Sequence, residues 1–230
     1  MNFAPNILTK TIQCASFAGK PVILFYPKEL ISVEVILDLD ETIWKMPLLY
    51  PEPINNNLYI QNKIKWKIDV DSNGIITYNN QKYAYLFWEA LVCPDNFKID
   101  LLNATCIESI NAPYILDKML ISYGLNIKER QDLITFWLHD IIQKEYVVFQ
   151  IIGSLQQNNL YETIYFGDSF YNSVTTLQIN PPPDSLLRIL LLFSGSDSYI
   201  KCNYVHHQNV KRNDNDYWVV EWGGINTYEF

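Results

Sequence analysis

Three histidines, four cysteines and eight glycines in 230 residues leave little for the commonest catalytic devices. No Gly-x-Ser-x-Gly elbow, His-Glu-x-x-His pair, phosphate-binding lysine loop or Gly-x-Gly-x-x-Gly turn occurs. The sites that carry a nucleophile, a zinc ion or a nucleotide therefore have no local signature. A serine or cysteine nucleophile could draw a base only from His139, His206 or His207. Cys14, Cys93, Cys106 and Cys202 lack Cys-x-x-Cys spacing, which reads as free thiols in a reducing compartment. Basic residues are outnumbered, 17 against 25 acidic, for a net charge of −8 and a pI near 4.8. Nucleic-acid phosphates and anionic membrane surfaces repel such a chain. Its one tight basic pair, Lys211-Arg212, is followed at once by Asp214 and Asp216. No run reaches the roughly 18 apolar residues of a membrane span. Met1 to Ile12 lacks the basic start and apolar centre of a secretory signal. The expectation is an acidic, soluble, cytoplasmic protein with no cofactor and no metal, and with neither nucleic acid nor a membrane as partner.

What the chain does have is apolar and aromatic mass. Hydrophobic residues make up 49% and aromatics 14%, with 16 Tyr and 6 Trp, enough for a substantial core. Pro21 to Tyr26 is an apolar run closed by Pro27, and Ser32 to Leu39 alternates apolar and acidic residues as a half-buried strand does. Pro47, Pro51 and Pro53 break the chain before Lys63 to Val70, where Ile64, Trp66, Ile68 and Val70 share one face. Asp71-Ser72-Asn73-Gly74 turns it back into a hairpin, and Lys82 to Val92 reads as one long strand. Spacing then becomes helical from Tyr114 to about Gln143. Gly124 falls where a helix ends, and Asn126 with Glu129 forms a capping-box pattern opening a second helix. Strands resume at Tyr146 to Ile152, Glu162 to Phe166 and Ser173 to Ile179. Leu186 to Phe193, almost wholly apolar, predicts a strand buried on both faces. Gly195 to Asp216 reads as a polar excursion, and Tyr217 to Trp222 as a final strand stopped by Gly223-Gly224.

Two segments join aromatics to one acid each: Tyr85-Leu86-Phe87-Trp88-Glu89 and Val220-Glu221-Trp222-Gly223-Gly224. A carboxylate in an apolar strand must be paired, hydrogen-bonded or protonated. If Glu89 and Glu221 met on one aromatic-lined face, they could act as acid and base on a sugar, with tryptophan as a platform. They are the candidate catalytic residues; Tyr85, Trp88, Trp137 and Trp222 are the candidate ligand-binding ones. Strand alternation supplies a plainer reading, in which each Glu turns to solvent or pairs with Arg130 or Arg188. Asp69, Asp71, Asn73 and Gly74 imitate the opening of a calcium loop, but the twelfth position is Asn80, so a hairpin turn is expected. Cys202, His206 and His207 lie close in sequence, yet adjacent histidines on an extended chain point apart and suit one zinc ion poorly.

Five motifs recur in order: Lys20-Pro21-Val22-Ile23 with Tyr26-Pro27, Tyr85 to Glu89, Thr135-Phe136-Trp137-Leu138, Pro182-Pro183-Asp184, and Glu221-Trp222-Gly223-Gly224. Across about residues 20–224 this resembles an uncharacterised bacterial and fungal family with the signature KPVIYLYP…YLFWE…YWLP…PxPD…EWGG. The chain departs from it at Phe25, where Tyr is usual, and at His139, where the helix motif ends in Pro. The resemblance implies one integrated domain and carries no activity.

These readings predict an α+β, mainly β protein: an antiparallel β-sandwich-like domain over 20–230 with a two-helix insertion at about 114–143, preceded by an arm at 1–19. The absent catalytic constellations point to a non-enzymatic binding or scaffolding domain that engages a protein partner or assembly. The alternatives are a carbohydrate-active hydrolase using Glu89 and Glu221, and a structural subunit of a larger particle such as a viral capsid, located in the virion.

Overall fold

The strictly alternating segments become the simplest part of the structure, a computed structural model that describes residues 16–53, 63–157, 163–203 and 208–227. β2 (Ile31–Leu39) and β4 (Lys63–Val70) pair antiparallel, with Val33, Val35 and Leu37 buried on the same side as Ile64, Trp66, Ile68 and Val70. Their other side is a charge ladder, in which Lys65 meets Glu34 at 2.8 Å and Lys63 meets Asp38 at 3.6 Å. β5 (Ile76–Tyr78), β6 (Gln81–Tyr83) and β11 (Thr175–Asn180) complete a five-stranded sheet in the order β11-β2-β4-β5-β6. At the β4–β5 turn the Asp71 carboxylate accepts from the backbone N–H of Asn73 and Ile75, so the calcium-like segment is a hairpin turn.

The second sheet has eight strands. β1 (Ser16–Tyr26), β3 (Lys45–Tyr50), β7 (Leu86–Val92), β9 (Tyr146–Gln157), β10 (Ile164–Phe166), β12 (Ser185–Ser196) and β13 (Trp218–Asn226) run in the order β10-β9-β12-β13-β1-β7-β3, and β8 (Thr105–Glu108) also pairs with β9. The two sheets face each other across a core that includes Ile23, Trp88, Leu190, Leu192 and Val219 from the large sheet and Val35, Trp66 and Ile68 from the small one. Helices α1 (Ala112–Ser122) and α2 (Ile127–Ile141) cover the outer face of the large sheet. Leu116, Leu133 and Trp137 pack there on Leu187, Ile189, Leu191 and Trp222. β12 lies between both layers, which is why Leu186 to Phe193 is apolar but for Arg188: every one of these residues is buried. The predicted sandwich with a two-helix insertion is the architecture observed.

Both predicted helix signals take their expected form. Asn126 and Glu129 form a reciprocal capping box, and Gly124, with φ +87°, closes α1 as Leu125 N–H donates to the Leu120 carbonyl and Gly124 N–H to that of Ile121. Several boundaries differ. Ser16 to Gly19 belong to β1, and the rest of the predicted arm lies outside the described residues. The stretch 82–92 is two strands, because the chain leaves the small sheet after Tyr83 and enters the large one at Leu86. Lys45–Tyr50 is a strand despite Pro47; at an edge, with irregular pairing between Lys45 and Leu48, a missing N–H costs little. β8 was too short to carry a pattern, and Phe170–Val174 forms a helical turn, α3, before β11.

Gly223 and Gly224 do not stop the last strand. β13 continues through them to Asn226. A Cβ on Gly223 would stand 3.0 Å from Pro21 Cγ, and one on Gly224 2.5 Å from Trp137 Nε1. The glycines permit close approach from neighbours; they are not a turn signal. One pairing breaks the antiparallel rule: β12 and β13 are parallel. A parallel pair needs a crossover, and the polar excursion at 197–217 supplies it. It passes Leu101, whose carbonyl accepts from Asn203 N–H, then the end of α1, where Val210 N–H donates to Ser122.

Candidate functional site

The parallel pairing sets Arg188 of β12 directly beside Glu221 of β13. Both side chains point between the sheets, where Glu221 is fully buried and Arg188 nearly so. Arg188 Nε donates to Glu221 Oε2 at 2.7 Å, Tyr171 Oη donates to the same oxygen at 2.9 Å, and Trp88 Nε1 donates to Oε1 at 2.9 Å. Arg188 also reaches the Thr175 carbonyl at 2.6 Å and lies 4.8 Å from the centre of the Tyr171 ring. Burial, and then the adjacent Glu221 charge, push the Tyr171 hydroxyl pKa well above its ordinary value. Burial works against the Arg188 charge, but Glu221 outweighs it and raises the guanidinium pKa. This is the expected Glu–Arg pairing, and it is closed to substrate.

Glu89 is elsewhere. Trp88 turns inward to reach Glu221, so the next residue of β7 turns to the outer face. The two candidate carboxylates therefore occupy opposite faces of the large sheet and share no cleft. Of the candidate aromatics, Trp88, Trp137 and Trp222 are core residues, buried to at least 95%. None offers a ring for stacking. Tyr85 is half-buried, packed against the helix-side cluster.

Beyond the helices, the outer face of the large sheet at its β7–β3 end is open among the described residues. Leu48 is 56% exposed and Tyr50 60%, opposite Glu89 and Phe87 respectively. Glu89 is half-buried, and burial alone raises its pKa. Among the described residues no ion pair or hydrogen bond compensates it.

A second acid–arginine cluster was not visible beforehand. Glu129, in the first turn of α2, is 1% exposed. Arg212, 83 residues later on the crossover, grips it with two bonds of 3.0 and 3.1 Å. Tyr26 Oη, at the end of β1, donates to Glu129 Oε1 at 2.6 Å. The guanidinium lies over the rings of Tyr26 and Trp218, 5.0 and 5.2 Å from their centres. Burial and the neighbouring Glu129 carboxylate drive the Tyr26 pKa upward. Sequence reasoning found Glu129 as a capping residue and Arg212 as half of a basic pair. Only the crossover brings them together. Beside this cluster a cleft of about 620 Å³ opens, walled by Tyr26 to Lys28, Ser72, Asn126 and the Arg212–Asp216 loop.

Among the described residues no group of three or more His, Cys, Asp or Glu could hold a metal ion. His206 and His207 lie outside those residues, and His139 is exposed on α2. No helix of the described chain is long and apolar enough to cross a membrane. No protein-family model, curated protein or solved structure matches the chain.

Proposed function

We propose that the chain is a non-enzymatic binding domain that engages a protein partner through the open β7–β3 face of its large sheet. The observation that carries this reading is Glu89, a half-buried carboxylate without a partner among the described residues, flanked by the exposed apolar side chains of Leu48 and Tyr50. An uncompensated charge in apolar surroundings favours a partner that supplies the opposite charge between apolar groups. The occupant is therefore a segment carrying a lysine or arginine flanked by apolar residues. A second copy of the chain, as in a larger particle, would bring a like net charge of −8 to the contact. The opposed faces of Glu89 and Glu221 give no support to a paired-carboxylate hydrolase.

The test is a nuclear magnetic resonance titration at pH 7 with a short peptide of alternating leucine and lysine, and with its leucine–glutamate counterpart. The lysine peptide is expected to shift amides of residues 45–50 and 86–92, and Glu89→Gln to weaken that binding. Equal response to both peptides, or none on this face, overturns the reading.

A further inference from the structure

The cleft beside Arg212 is independent of the open face. The Asn213–Asp216 loop in its lining is held by its own bonds. Asn213 Oδ1 accepts from Asn215 N–H at 3.1 Å, and Asn213 Nδ2 donates to Asp216 at 2.9 Å. The Asn213 carbonyl accepts from Trp218 Nε1 at 3.2 Å and from Asp216 N–H at 3.0 Å. Arg212, also in the lining, is pinned to Glu129 and to two aromatic rings. The walls are thus formed before any ligand arrives, which removes much of the ordering cost of binding.

The groups left over are of mixed kind. Lys28, Ser72, Asp214 and Asn215 line the cleft, and their side chains make no hydrogen bond among the described residues. The Arg212 charge is offset by Glu129, and Lys28, Asp214 and Asp216 all line the same cleft. Charges of both signs gain little from a simple anion or cation. Donors and acceptors side by side in one lining suit hydroxyl groups, each of which both donates and accepts. A volume of about 620 Å³ falls in the range of small-molecule sites. We infer that this cleft is a site for a neutral polyhydroxylated molecule, a saccharide of one or two rings.

The test is a titration of the isotope-labelled full chain with maltose, cellobiose and N,N′-diacetylchitobiose, alongside inorganic phosphate and ethylammonium. At least one disaccharide is expected to give saturable shifts at Lys28, Ser72 and Asn215. Asp214→Ala and Asn215→Ala, on an exposed loop, should each weaken that binding about two- to tenfold, the worth of one hydrogen bond. The inference fails if no disaccharide shifts these amides, or if only phosphate or ethylammonium does. It also fails if a disaccharide response is untouched by both substitutions.

Discussion

The two acid–arginine clusters use the same parts in different places. Each has a buried glutamate, an arginine lying over a tyrosine ring, that tyrosine's hydroxyl on the carboxylate, and a tryptophan. In the core, Glu221 and Arg188 are neighbours across two paired strands, with side chains 0% and 5% exposed. At the cleft, Glu129 sits on a helix and Arg212 on a crossover loop, with side chains 1% and 17% exposed. The first geometry is enforced by sheet register. The second depends on where a loop lands, and it leaves the arginine at the edge of a cavity. Similar chemistry thus serves the interior in one case and shapes a surface in the other.

The strongest way to break this contrast is to remove the arginines. Arg188→Ala should destabilise the fold by about 3–5 kcal/mol, because it strands a fully buried carboxylate. Urea unfolding at pH 7 measures it, and Arg188→Met with Glu221→Leu should recover most of the loss. Arg212→Ala should cost less, about 1–3 kcal/mol, since water can reach Glu129 once the guanidinium is gone. An equal loss at both sites would erase the distinction.

The tyrosines give a pH test. Tyr171 and Tyr26 both have folded-state pKa values above the ordinary tyrosine value. The native chain therefore holds these protons after the unfolded chain has released them. Their contribution is complete below pH ~10 and is lost as pH rises beyond it. Tyr171→Phe and Tyr26→Phe should each flatten the decline of stability above that pH, as followed by thermal unfolding across the alkaline range.

The smallest effect belongs to Glu89, which is unpaired among the described residues. The Glu89 pKa is raised by burial, so its ionised form disfavours the fold above that pKa and the penalty fades as pH falls through it. Glu89→Gln should stabilise the chain at pH 7 by no more than about 0.5 kcal/mol, because solvent screens a half-buried group at the surface. The gain should vanish in acid. A loss of stability at pH 7 would mean that Glu89 is paired after all.

Much of the fold was legible. Alternation in Lys63–Val70, the apolar run at Leu186–Phe193 and the capping box at Asn126–Glu129 report local burial and local backbone bonds, and all three took the form their patterns imply. The misreadings fall where a neighbour distant in sequence decides. Gly223 and Gly224 resembled a stop signal until Pro21 and Trp137 were seen against them. Lys82 to Val92 read as one long strand, but the chain passes from the small sheet to the large one between Tyr83 and Leu86.

The sequence by itself determined the sandwich with its two-helix insertion, the acidic character and the need of each strand-borne carboxylate for a partner. These follow from periodicity, composition and the cost of desolvating a charge. Tertiary structure alone decided that Glu221 pairs with Arg188, that Glu129 pairs with Arg212, and that Glu89 is left on an open face. The physical reason is that such pairings depend on parallel register and on a crossover's path, which bring together residues 33 and 83 positions apart. No local pattern encodes a meeting at that distance.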